Sequence, residues 1–150
     1  MLGLMFLALF VAGCGSEPVK ISGTTPATAD LERCTQLIDA VPEEVSDEQR
    51  RTVTPDDAPG AAWGDPAIVL TCGGTWQVPA DANCQEVDGV DWYAPESQFA
   101  DQDADVVLTT IGYSPVVRVE IPARYRPPAA TMVDLAAAIK KTLKRTNPCN

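Results

Sequence analysis

The constraint that weighs most on what this chain can become is its five cysteines, at positions 14, 34, 72, 84 and 149. The first stands apart. It closes an uncharged apolar run, Met1 to Ala12, and directly follows Val11-Ala12-Gly13. The other four lie at wide spacings, with no Cys-x-x-Cys knuckle of the kind that holds zinc or forms a redox-active pair. The chain has no histidine, which removes the commonest metal ligand and the commonest general base. Cross-linking is therefore the expected role of these thiols, and no cofactor or metal is expected.

The apolar run is too short for a bilayer, which takes about 20 apolar residues. It fits the h-region of an export signal, although no Lys or Arg precedes it. Val11-Ala12-Gly13-Cys14 resembles the bacterial lipobox: an aliphatic residue, two small ones, then cysteine. The resemblance implies cleavage after Gly13 and a lipid on the Cys14 thiol, so that residues 1–13 are a lipoprotein signal peptide. The mature chain would then sit on the extracytoplasmic face of the cell membrane. Each buried methylene adds about 0.8 kcal/mol, so several palmitate-like chains make a stable anchor. Residues 14–29 are small, polar and proline-bearing, which predicts a flexible tether without fixed structure. Residues 30–150 remain for a single domain.

An even set of cysteines in an exported chain predicts two disulfides among Cys34, Cys72, Cys84 and Cys149. Three pairings are open. The favoured one is Cys72–Cys84, closing the short segment GGTWQVPADAN, with Cys34–Cys149 tying the two ends of the domain.

Periodicity predicts a helix over 30–41, with Leu31, Cys34, Leu37, Ile38 and Val41 on one face, Asp30 as its cap and Pro42 as its stop. The acidic stretch 43–60 reads as an exposed loop, with Arg50-Arg51 paired locally to Glu43, Glu44 or Asp47. Strands are expected at 67–72, near 90–93, within 104–112 and at 116–121. In the last, Val117, Val119 and Ile121 face one way and Arg118 and Glu120 the other. Asp88-Gly89 supplies a turn. Trp63 beside a turn reads as a core plug, with ligand stacking as the minority alternative. A closing helix over 132–145 turns Leu135, Ile139, Thr142 and Leu143 inward, with Thr131 and Asp134 as a capping box. The fold expected is α+β: a small antiparallel sheet of three to four strands, an N-terminal and a C-terminal helix on one face, and two disulfides.

Charge narrows the partners. Residues 1–117 carry 19 acids against 4 bases, whereas 118–150 carry 2 acids against 7 bases. The acidic body argues against nucleic acid, which needs a basic surface. The cations Lys140, Lys141, Lys144 and Arg145 suit the negative end of a helix macrodipole, with anionic lipid as the alternative partner.

Several of these residues carry a resemblance. Cys34-x-x-Leu37 before Val41-Pro42, then Ala62-Trp63-Gly64-Asp65-Pro66-Ala67-Ile68-Val69-Leu70 with Cys72-Gly73, then Val90-Asp91-Trp92, are similar to an actinobacterial lipoprotein family catalogued as domain of unknown function 3515. The resemblance runs from about Cys34 to Cys149. It implies an envelope protein and supplies no catalytic residues.

Chemistry-bearing groups are few. Asp101, Asp103 and Asp105 alternate as in a calcium loop, but the glycine and distal glutamate of an EF-hand are missing. Asp65 and Asp91 could serve a hydrolase only if the fold joins them. The reading that follows is a membrane-anchored, non-catalytic binding or accessory domain, its partner an envelope protein or cell-wall ligand. A carboxylate-pair hydrolase acting on wall material and a calcium-stabilised module are the alternatives.

Overall fold

A computed structural model describes residues 16–22, 24–147 and 149. The expected signal peptide and Cys14 lie outside the described residues. In chain order the elements are β1 (Val19–Lys20), α1 (Leu31–Ala40), β2 (Glu44–Val45), β3 (Glu48–Arg51), β4 (Val53–Thr54), β5 (Gly60–Trp63), β6 (Ile68–Cys72), β7 (Gln85–Val87) and β8 (Val90–Tyr93). There follow α2 (Ser97–Ala100), β9 (Val106–Thr110), β10 (Tyr113–Ser114), β11 (Val117–Ile121), a 3-10 turn at Ala123–Tyr125, α3 (Ala129–Thr142) and β12 (Lys144–Arg145).

The expected α+β fold with three to four strands is wrong. Over the described residues the protein is mostly β, built on an eight-stranded antiparallel sheet in the order β2-β3-β5-β6-β11-β9-β8-β7, with three short helices. The missed strands are polar. β3 reads Glu-Gln-Arg-Arg and β7 reads Gln-Glu-Val, and neither shows the apolar alternation that marks a half-buried strand. They form because turn chemistry dictates pairing. Ser46-Asp47 and Asp88-Gly89 hold positive φ at both positions, the geometry of two-residue hairpin turns that match strand twist.

The core lies between one sheet face and the helices. Ile68, Leu70 and Cys72 of β6, Val117, Val119 and Ile121 of β11, and Val106 and Leu108 of β9 are all buried there. Leu37 of α1 and Leu135 and Ile139 of α3 meet them, each with no exposed surface, and α1 and α3 pack on each other. The opposite, outer face takes the alternate residues: Val69 and Thr71, Arg118 and Glu120, Val107 and Thr109, Asp91 and Tyr93.

Local expectations also change. Val19–Lys20, inside the expected tether, pairs in parallel with Val53–Thr54, and Ile21 is buried. The segment finds structure by adding backbone hydrogen bonds at Thr52 and Thr54. Asp30 makes no side-chain cap; Arg50 instead closes the other end of α1, donating to the carbonyls of Ile38 (2.9 Å) and Val41 (3.4 Å). Thr131 and Asp134 do not form a capping box, because α3 starts at Ala129. Both reach across to the β2–β3 turn, the Thr131 and Ser46 hydroxyls lying 2.7 Å apart and Asp134 Oδ2 accepting from Ser46 N–H at 2.8 Å.

The favoured disulfide pairing is overturned. The bonds are Cys34–Cys72 and Cys84–Cys149. Cys72 and Cys84 are near in sequence but stand on β6 and just before β7, with β11, β9 and β8 between. Four strand spacings amount to about 19 Å, and bonded cysteines need Cα atoms within about 7 Å. Cys72 faces the core, where α1 brings Cys34 to a Cα distance of 5.6 Å.

Candidate functional site

The chain from Gly73 to Cys84 leaves β6 and must cross three strands to start β7. It does so as a strap over the outer face, without helix or strand. Gly73, at φ +83°, starts it: a Cβ there would lie 2.7 Å from Pro26 and 3.1 Å from the Cys34 sulfur. At Gly74 a Cβ would meet the Trp76 indole at 2.5 Å, so the ring lies flat on bare backbone.

From that position Trp76 reaches Arg118 of β11, whose guanidinium carbon is 5.9 Å from the ring centroid, a cation–π contact. Arg118 Nη2 also pairs with Glu120 at 3.3 Å, while its Nε is buried without an acceptor among the described residues. Beside them opens a cavity of about 320 Å³, lined by Gln77, Tyr93, Pro95, Gln98, Val107 and Thr109 as well. Tyr93 also lines a second cavity of about 370 Å³, which continues along the strap past Pro79, Asp81, Asn83, Glu96 and Phe99. The two cavities share Tyr93 as a wall and lie between the strap and the segment carrying α2; together they make up the cleft.

The strap is fastened at its far end. Cys84 bonds Cys149, and the C-terminal segment runs over Asp91. That carboxylate is 2% exposed and accepts from Arg145 Nη2 at 3.1 Å and from Cys149 N–H at 3.2 Å. A buried carboxylate needs such partners, so Asp91 is an anchor for the tail.

Asp65 does a different job at the opposite end of the sheet. It is exposed in the Gly64-Asp65-Pro66 turn between β5 and β6 and pairs with Arg51 at 3.9 Å. Arg51 donates to Gly64 O, Arg124 to Asp65 O and the Tyr125 hydroxyl to Pro66 O, so three side chains clamp this turn. Gly64 takes φ +74°, and a Cβ would lie 2.6 Å from the Tyr125 oxygen. Burial, with the Glu48 carboxylate beside it, raises the Tyr125 phenol above its ordinary value, against the opposing pull of Arg124. Asp91 is level with Ile111, just past the Thr110 end of β9 and so at the end of the sheet opposite the Ile121–Val106 register, and three strands from β6. The expected carboxylate pair is therefore not assembled.

Other expectations resolve similarly. Trp63 is fully buried and donates to Pro42 O at 2.9 Å, which leaves no face for a ligand. Asp101 accepts from Asp103 N–H and Asp105 from Ala123 N–H; among the described residues no three acidic groups gather as a metal site would require. Lys140 is tied to Asp88 and Arg145 to Asp91, leaving Lys141 and Lys144 of the basic group in the open.

Trp76, Tyr93 and Arg118 were not singled out by sequence as a site. The available signal was a tryptophan inside a Gly- and Pro-bearing connection, since functional groups concentrate on such segments.

No curated protein and no solved structure matches the chain. The family model of proteins of unknown function DUF3515 matches residues 1–148, and the chain belongs to that family.

Proposed function

We propose that this protein is a lipid-anchored, extracytoplasmic binding domain, without catalysis of its own, that holds another envelope component in the cleft under its strap. The observation that carries the reading is the cleft. A cation, three aromatic rings and side-chain amides line it, groups that recognise a ligand through apolar surface and a few oriented hydrogen bonds. Val11-Ala12-Gly13-Cys14 supports the anchor. Four cysteines joined in two disulfides favour an oxidising compartment.

Expression in a bacterium that processes lipoproteins, followed by intact mass measurement, tests the address. A chain starting at Cys14 with added acyl mass is expected, and Cys14→Ala should remove that mass. A polypeptide beginning at Met1 without lipid overturns the anchor. Crosslinking in native envelopes tests the binding role. A specific partner should be captured by the parent chain and lost on Trp76→Ala; no specific partner in repeated captures overturns it.

A further inference from the structure

The cleft is electrically asymmetric. One end holds Arg118, and the other, past Tyr93, holds Asp81 and Glu96 with no basic side chain in its lining. Arg118, Thr109 and Tyr93 form a single row over three adjacent strands, Arg118 opposite Thr109 and Thr109 opposite Tyr93. Two strand spacings make that row about 10 Å long, and the acids lie beyond it.

Arg118 keeps 33% of its side chain exposed, and its Nη2 pairs with Glu120 at 3.3 Å, a surface ion pair of little net worth that a ligand carboxylate can displace. Its Nε is buried without a partner among the described residues. Gln98 lines the same cavity. Its Oε1 accepts the Val107 N–H at 2.8 Å, which leaves Nε2 as a donor without a partner among the described residues. Thr109 adds a hydroxyl. Donors around one guanidinium suit a carboxylate.

We propose that the cleft binds a short extended peptide by its free C-terminal carboxylate at Arg118, with the peptide's ammonium group at Asp81 and Glu96. This rests on the reading of the cleft as the binding surface. The row from Arg118 to Tyr93 alone takes about three extended residues at about 3.4 Å each. The side-chain amides of Gln77, Gln98 and Asn83 along the cleft can meet peptide N–H and C=O groups. A saccharide is disfavoured, because one face of the Trp76 ring lies on Gly74 and the guanidinium of Arg118 stands 5.9 Å from the ring centroid, where it competes for the ring.

Isothermal titration of the full chain in detergent with tetra-alanine, its C-terminal amide, its N-acetyl form and a chitin trisaccharide tests the proposal. Tetra-alanine should bind, the amide at least tenfold more weakly and the acetylated form several-fold more weakly. Arg118→Gln should abolish the preference for the free carboxylate, and the double variant Asp81→Asn/Glu96→Gln the preference for the free amine, with circular dichroism unchanged in both. Arg118→Lys, which keeps the charge, should retain part of the preference. Equal binding of tetra-alanine and its amide, binding of the trisaccharide alone, or no peptide binding overturns the proposal. If envelope crosslinking still captures a partner that Trp76→Ala loses, the binding role stands and only the ligand class falls; if that also fails, the binding role falls with it.

Discussion

The face of the sheet under α1 and α3 and the face under the strap share the same central strands yet are held by different means. On the helix side, Val, Leu and Ile side chains interlock with the two helices, and the Cys34–Cys72 bond is buried among them, its cysteines 2% and 0% exposed. On the strap side the strands present Thr71, Thr109, Arg118 and Glu120. The cover there is fastened by Cys84–Cys149, at whose surface Cys84 is exposed, and by the contacts Asp91 makes with the tail. Burial of apolar area scales with surface and leaves no opening. A few point attachments at the edges can hold a cover in place and still leave a cleft beneath it. The first face makes the domain stable; the second frees it to carry a site.

That contrast can be broken at several points. The largest effect is expected from the disulfides. Closing loops of 38 and 65 residues is worth on the order of 4 kcal/mol each in the chain-entropy model. Cys34→Ala/Cys72→Ala should reach that figure in urea unfolding, since it also empties core volume. Cys84→Ala/Cys149→Ala should fall short of it while loosening the cleft, and mild reductant should open the exposed bond first. Equal losses and equal reduction rates would erase the distinction.

A neighbouring pair on β9 sharpens the contrast further. Leu108→Ala faces the core and should lose about 3 kcal/mol. Val107→Ala faces the cleft and should lose less than about 1 kcal/mol. Asp91→Ala comes next, at about 1–3 kcal/mol, because its carboxylate is buried whereas Arg145 is half exposed. Its signature should be faster amide exchange in the tail and strap, with the helices unaffected.

The smallest effect concerns Tyr125. Its phenol is raised above the ordinary value of 10.0, mainly by burial and then by Glu48, so folding favours the neutral form. The associated stabilisation is complete below the unfolded-state value and is lost as pH climbs through the folded one. Thermal unfolding should therefore show an alkaline decline above pH 10 that Tyr125→Phe lessens. An unchanged decline in the variant would assign it to another group.

Legibility in the sequence followed locality. The helix at Leu31–Ala40, the inward residues of Val117–Ile121 and the Asp88-Gly89 turn were readable because periodicity and turn chemistry act within a few residues. The sheet's size was not readable. β3 and β7 are polar and become strands only because tight turns place them beside apolar neighbours. The Trp-Gly-Asp-Pro stretch was conspicuous in sequence, but its role is a clamped turn that only the approach of Arg51, Arg124 and Tyr125 reveals.

By itself the sequence determined that four cysteines lie beyond the one that closes the apolar segment, that no histidine chemistry is available, and which residues of the apolar strands face inward, because these follow from composition and from the two-residue repeat of a strand. Tertiary structure decided which cysteines bond and where a cleft lies. Both depend on strand order, which carries Cys72 and Cys84 to positions four strands apart despite eleven intervening residues, and chain separation does not encode distance across a sheet.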